Sequence, residues 1–287
     1  MVTVLYLTMT PSPWLYNTIC VSLVLLFGIP HGAADHKINA TINKNSKPIS
    51  YIIKYVLIAV GYTIWWVFMP GKALVVFFIL SAYHFGQEFL EDNAVDLTKP
   101  WETMIWGSSI LIAPLLISYA EIRPNLEFVT KSNLPDLSSA MLMGITTLIF
   151  GVTLIHSMYL WKTNRIDTRV FAKQLMLLLT ILVSYSLLPF LIAFTLYFVL
   201  FHSLNAFKHQ FDWLQANFLK YTVKSFLRDL SLFSFISITG ILGFLFFMRP
   251  DSWPNLISYF FILISVITLP HSILFDQFYK FKKSQHD

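Results

Sequence analysis

Gly28-Ile29-Pro30-His31-Gly32-Ala33-Ala34-Asp35-His36 closes the first long apolar run of the chain. It sets two imidazoles and a carboxylate where a hydrophobic segment meets its first charged loop. Ionisable side chains are expensive at membrane depth, so a His–Asp pair there marks a functional site by default. Three later apolar runs close in a comparable way: Tyr83-His84-Phe85-Gly86-Gln87-Glu88, Phe201-His202-Ser203-Leu204-Asn205 and Leu269-Pro270-His271-Ser272. The reading of the chain turns on whether these four places meet.

Of the 287 residues, 56% are hydrophobic and only 12% charged, against about 25% charged in soluble domains. With 27 Phe and 8 Trp, that balance predicts an all-α integral membrane protein, since helices satisfy their own backbone in lipid. The net charge of +5 is spread over separate loops and argues against nucleic acid as a partner. Cys20 is alone inside an apolar run, which excludes a disulfide framework and a Cys-based metal site. Met1–Thr10 has no basic segment and no small-residue cleavage site follows, so no signal peptide is expected. No repeat or low-complexity tract divides the chain, and a single transmembrane domain is expected over residues 1–287.

A membrane-spanning helix needs about 20 mostly apolar residues. That measure predicts nine spans: 14–33, 50–69, 73–90, 103–120, 138–161, 171–188, 190–207, 230–248 and 254–275. The sixth and seventh are separated by Pro189, with Ser184, Tyr185 and Ser186 before it; without that break the count is eight. Charge decides between them. With nine spans, sixteen of the twenty Lys and Arg fall on one side, leaving Lys72, Arg123, Lys131 and Arg249 on the other. Fusing the two spans erases the bias. The positive-inside rule then sets the N-terminus outside and the C-terminus in the cytoplasm. Trp65, Trp66, Trp101, Trp106, Trp161, Trp213 and Trp253 fall near span ends, as an interfacial aromatic belt requires.

In this topology His31, His84, His156, His202 and His271 all lie near the cytoplasmic leaflet, each on an odd-numbered span. Imidazole is the usual nitrogen ligand for Fe, Zn, Cu and Ni, and a ligating His commonly gives its other N–H to a carboxylate. Asp35 follows His31 by four residues and Glu88 follows His84 by four, so each pair shares a helical face. Pro30 and Gly32 predict a kink at the first. All-His ligation without Cys suits a ferrous ion with open positions. A lone His at a span end is more often interfacial or capping; it is the coincidence of several that favours His31, His84 and His202 as ligands. His156, beside Ser157 and Trp161, reads as a belt residue. His209 and His286 read as solvated, and Glu91, Asp92 and Asp96 as an acidic loop.

Other classes remain open on these residues alone. Two of the histidines could be axial ligands of a haem in an electron-transfer protein, and the His and carboxylates could relay protons in a transporter. All the candidate groups lie at one leaflet, which weakens the second. A retinal-binding pump lacks a mid-span Lys in the last three spans. A di-iron desaturase would need more closely spaced His clusters.

At these motifs the chain resembles the bacterial β-carotene 15,15'-dioxygenase (Brp/Blh) family. The carriers are Gly28–Asp35, His84-Phe85-Gly86, His202-Ser203 and Pro270-His271 with Asp276, in the family's order and over nearly the whole chain. The resemblance implies a membrane enzyme whose His-ligated Fe2+ uses O2 to split β-carotene, or a similar carotenoid, into two all-trans retinal. It also implies residence in a bacterial inner membrane and delivery of retinal to a rhodopsin. It differs at two points. The family's His-Ser motif continues to a second His one turn on, where this chain has Ala206, and Glu88 stands one position early. His271 is therefore the expected fourth ligand beside His31, His84 and His202; His209, seven residues after His202, lies about 10 Å further along a helix. Asp35 and Glu88 are the expected catalytic carboxylates, orienting the ligating rings. Tyr83 and Phe85 flank a ligand and are expected to line the polyene tunnel, entered sideways from the bilayer.

A reporter fused to the C-terminus should work only in the cytoplasm. Activity confined to the outer face would reverse the orientation drawn from the basic residues.

Overall fold

The computed structural model describes residues 13–44, 47–92 and 99–285, and every regular element among them is helical. Asp96 and His286 lie outside the described residues. Among the described residues nine helices are long and apolar enough to cross a membrane. They are α1 Trp14–Ile42, α2 Pro48–Phe68, α3 Pro70–Glu91, α4 Pro100–Ile117, α6 Ser139–Lys162, α7 Thr168–Leu187, α8 Phe190–Asn217, α9 Val223–Met248 and α10 Trp253–Lys283. A short helix, α5 Tyr119–Thr130, lies between α4 and α6. The break at Pro189 is where the sequence puts it. The Leu188 N–H closes the last turn of α7 on Ser184, and both Glu121 carboxylate oxygens accept from the Phe190 N–H that opens α8. Ser138, Asp167, Thr222 and Ser252 cap α6, α7, α9 and α10 by accepting from a backbone N–H three residues on.

Four helices outrun the apolar windows that predict them, α9 by seven residues at its start. With 29, 28 and 31 residues, α1, α8 and α10 are about 42–47 Å long at ~1.5 Å per residue, well beyond a hydrocarbon core of about 30 Å. The extensions are helical because they bury a second apolar cluster, in which Ile38, Leu214, Phe226, Leu230, Phe275 and Phe278 pack together. His31, His202 and His271 therefore sit well inside long helical segments and not at their ends.

Three helices also widen into π-helical turns, at Val24–Gly28, Ser108–Ile112 and Phe198–Ser203. The first two each precede a proline by two residues. Pro30 and Pro114 lack an N–H and crowd the carbonyl four residues back, and a wider turn accommodates both defects. The third carries no proline. Such turns concentrate at functional sites: His202 lies in the third, and His31 follows the first. The expected kink at Pro30 and Gly32 thus takes the form of a π turn before Pro30 and a break at Ala34. Pro270 leaves α10 unbroken.

Two of the expected belt tryptophans are core residues. Trp106 is fully buried against Phe89, and the buried Trp66 donates its indole N–H to Ser265 on α10. The α3–α4 contact explains the Gly of His84-Phe85-Gly86. A Cβ on Gly86 would overlap the Thr103 carbonyl, and one on Gly107 would overlap the Ala82 carbonyl. Small residues let helices approach this closely in lipid, and here backbone meets backbone, with no flexible side chain to yield.

Gly107→Ala should therefore lose about 3 kcal/mol or more by overpacking. Gly61→Ala, which meets open space, should be neutral or slightly stabilising. Thermal midpoints of the purified variants check this, and equal midpoints would mean that α3 and α4 do not approach so closely.

Candidate metal centre

Four long helices bring one imidazole each to a common point. His31 on α1, His84 on α3, His202 on α8 and His271 on α10 are all buried, at 6%, 3%, 3% and 4% exposure. Their rings close a square of edge-to-face contacts, with centroids 4.9 Å apart for His31–His202, 5.6 Å for His202–His84, 5.1 Å for His84–His271 and 4.8 Å for His271–His31. Phe85 and Phe198 pack against His202, and Phe275 against His271.

Two buried carboxylates join the square, each across a helix interface. His271 Nδ1 lies 2.9 and 3.0 Å from the Asp35 oxygens, and His202 Nδ1 contacts Glu88 Oε2. The i,i+4 spacing suggests His31 as the partner of Asp35 and His84 as that of Glu88; the pairs actually formed are between helices. At Asp35 the cause is local: the helix breaks at Ala34 and restarts at Asp35, which turns the carboxylate toward α10. A carboxylate on Nδ1 fixes the tautomer and leaves Nε2 of that ring for another partner.

His84 differs from those two. Among the described residues neither of its ring nitrogens has a hydrogen-bond partner, although both are buried. Both ring nitrogens of His31 are buried as well, with the Gly28 carbonyl of its own helix the backbone group nearest to pairing with them. Buried polar atoms are nearly always paired, so each exception needs an explanation; a metal ion bound by the rings provides one. Donor atoms of His84, Glu88 and His202 also lie within 4.8 Å of one another and could hold an ion.

Two glutamines complete the framework. Gln210 donates to the His31 carbonyl at 2.8 Å, and Gln87 donates to Asp276 at 3.1 Å, tying α3 to α10. Sequence reasoning passes over both. The available signal for Gln210 is its register: His202, Ala206 and Gln210 succeed one another at four-residue steps on one helical face.

A cavity of about 280 Å3 opens from the four rings. Phe85 lines it, together with Val24, Phe78, Phe194, Phe198 and Phe261. Tyr83 does not; its hydroxyl donates to Asp276 at 3.5 Å. His209 is also absent from the lining. His36 turns to the Ala33 carbonyl and the Phe233 ring. His156 is buried, not interfacial: its Nε2 lies 3.6 Å from Glu102, which holds Arg165 through two hydrogen bonds of 2.7 and 3.0 Å. Glu91, at the end of α3, pairs with Lys282.

A family model described as "Beta-carotene 15,15'-dioxygenase" matches residues 22–279. A curated relative named "Beta-carotene 15,15'-dioxygenase", from an uncultured marine bacterium (66A03), is 28% identical over 261 residues, covering 89% of this chain and 91% of the relative. No solved structure matches the chain.

Because His156 braces a separate ion pair, His156→Ala should leave bound metal unchanged while costing about 1–3 kcal/mol of stability. Glu102→Ala should cost more, since it strands both Arg165 and His156. Metal analysis and thermal midpoints test the pair, and loss of metal from His156→Ala would mean that the site extends to α6.

Proposed function

The chain belongs to the beta-carotene 15,15'-dioxygenase family, and from that premise we propose that it cleaves β-carotene at its central double bond with O2. β-Carotene plus one O2 gives two retinal molecules, so the reaction balances without an external reductant. His31, His84, His202 and His271 hold an Fe2+ ion, which supplies the O2 binding and electron transfer that organic side chains lack. The observation that carries this reading is the convergence of four buried imidazoles on the lining of a largely apolar cavity.

Each remaining group has a task in this reading. Asp35 and Glu88 hold the Nδ1 atoms of His271 and His202, which keeps both rings oriented and their Nε2 lone pairs available. Gln210 pins the helix that presents His31. Phe85 and Phe198 form the walls along which an extended polyene slides toward the ion, and their apolar surface keeps water away from the reacting bond. Tyr83 acts indirectly, through Asp276, to hold α3 in register with α10. The nine apolar helices make the protein a multi-pass membrane enzyme with its N-terminus outside and its C-terminus cytoplasmic. In a bacterial inner membrane it would take an apolar substrate from the bilayer and release retinal to a rhodopsin.

A second reading, favoured by the close grouping of His84, Glu88 and His202, makes Glu88 a direct ligand. Glu88→Gln separates the two: as a ring-orienting group its loss should leave most of the metal, whereas loss of a ligand should remove it. His31→Ala, His84→Ala and His202→Ala should each lose most bound metal and all retinal formation while the protein still inserts. His271→Ala should do the same, and His209→Ala should cost little. Ala206 is buried one turn from His202, so Ala206→His should partly restore metal to His271→Ala. Metal analysis of anaerobically purified protein, with retinal quantified by chromatography, decides these cases. A Soret band would replace iron–histidine chemistry with haem, and full metal and activity in any of the His31, His84 or His202 variants would remove that residue from the ligand set.

A further inference from the structure

The cavity is polar at the end away from the histidines. There it is bordered by Asn17 on α1, Glu121 and Asn125 on α5, and Ser258 on α10, while the lining between is dominated by phenylalanine and aliphatic side chains. Asn17 lies fourteen residues before His31 on α1, and Ser258 thirteen before His271 on α10. At a helical rise of ~1.5 Å per residue, both distances come to about 20 Å. Two independent helices therefore put the polar cluster at one depth and the imidazoles at another.

The polar atoms are partly committed. The Asn125 amide donates to the Pro254 carbonyl at 3.0 Å and to Ser258 Oγ at 3.1 Å. The Glu121 carboxylate accepts from the Phe190 N–H. Asn17, Asn125 and Ser258 all line the cavity, and the Asn17 side chain, 8% exposed, has no hydrogen bond to a described residue. Glu121 is exposed at the rim of the cavity, its carboxylate already engaged by the Phe190 N–H.

A hydrocarbon ring gains nothing from such a lining and must displace water from it without replacing the hydrogen bonds. The aldehyde of a cleaved product does not account for it either, because that oxygen is formed at the histidine end. Resting on the carotenoid reading above, we propose that Asn17, Asn125 and Ser258 form a subsite for an oxygen-bearing ring, so that a carotenoid hydroxylated on an end ring is taken as well as β-carotene and held more tightly. The hydroxyl hydrogen-bonds to the cluster, the polyene lies along the phenylalanines, and the scissile region sits at the imidazoles.

The test is equilibrium binding to the purified full-length protein, followed by the carotenoid absorption shift, with β-carotene and a ring-hydroxylated carotenoid as probes. It needs no turnover and can be run without metal. The wild-type protein should prefer the hydroxylated probe by about fivefold, as expected for one net hydrogen bond in a buried site. Asn17→Leu and Ser258→Ala should each bring that preference close to one. A wild-type protein that binds β-carotene as tightly as the hydroxylated probe overturns the subsite and leaves the carotenoid reading intact. Failure to bind either probe overturns both. The wild-type ratio needs no variant, so a poorly folding substitution does not block the result.

Discussion

The structure depends on keeping two carboxylates and four imidazoles buried in an apolar helix bundle. A buried charge without a partner costs several kcal/mol, so every element that brings one of these groups in must bring the others too. That requirement explains the length of α1, α8 and α10. Their polar-looking continuations beyond the apolar windows pack Ile38, Leu214, Phe226 and Phe278 into a second cluster. The clamp lies directly beyond the site and holds three of the four imidazole-bearing helices in register. The fourth, α3, is fixed by backbone contact through Gly86 and Gly107 and by the Gln87–Asp276 hydrogen bond.

Much of this was legible in the sequence. Apolar length and the break at Pro189 give the nine membrane-crossing helices, and the recurrence of His near span ends points to His31, His84, His202 and His271 as a group. The pairing of the carboxylates was not legible. Four-residue spacing says which side chains share a helical face, but not which neighbouring helix that face meets. Asp35 and Glu88 each reach across an interface, to His271 and His202. Trp66 and Trp106 were misread for the same reason, since an indole near a span end can face lipid or a neighbouring helix. The π turn at Phe198–Ser203 had no signal in the sequence, because no proline announces it.

The absence of a His at Ala206 follows the same logic of neighbours. A second imidazole one turn from His202 would have to share the space between α8 and the helices around it. Ala206 is buried on that side of α8, and one turn further Gln210 bonds the His31 carbonyl. The fourth ring comes from α10, where Asp35 fixes it. A cluster drawn from four helices ties the bundle together more broadly than one drawn from three, since moving any of the four disturbs the whole square.

Charge balance ties the two carboxylates to the kind of ion that fits. Neutral imidazoles contribute no charge, so Asp35 and Glu88 leave the cluster at minus two when both are ionised. Arg165 is engaged with Glu102 in a separate cluster, and Lys280 and Lys282 pair with Asp276 and Glu91 near the end of α10. A divalent cation held by the four rings brings the cluster to zero. A monovalent ion would leave one buried negative charge and a trivalent ion one buried positive charge, either of them costly in surroundings this apolar. The same argument bears on redox state. In the proposed reading a ferrous ion would leave the site neutral and a ferric ion would not, through two carboxylates that need not touch the metal at all.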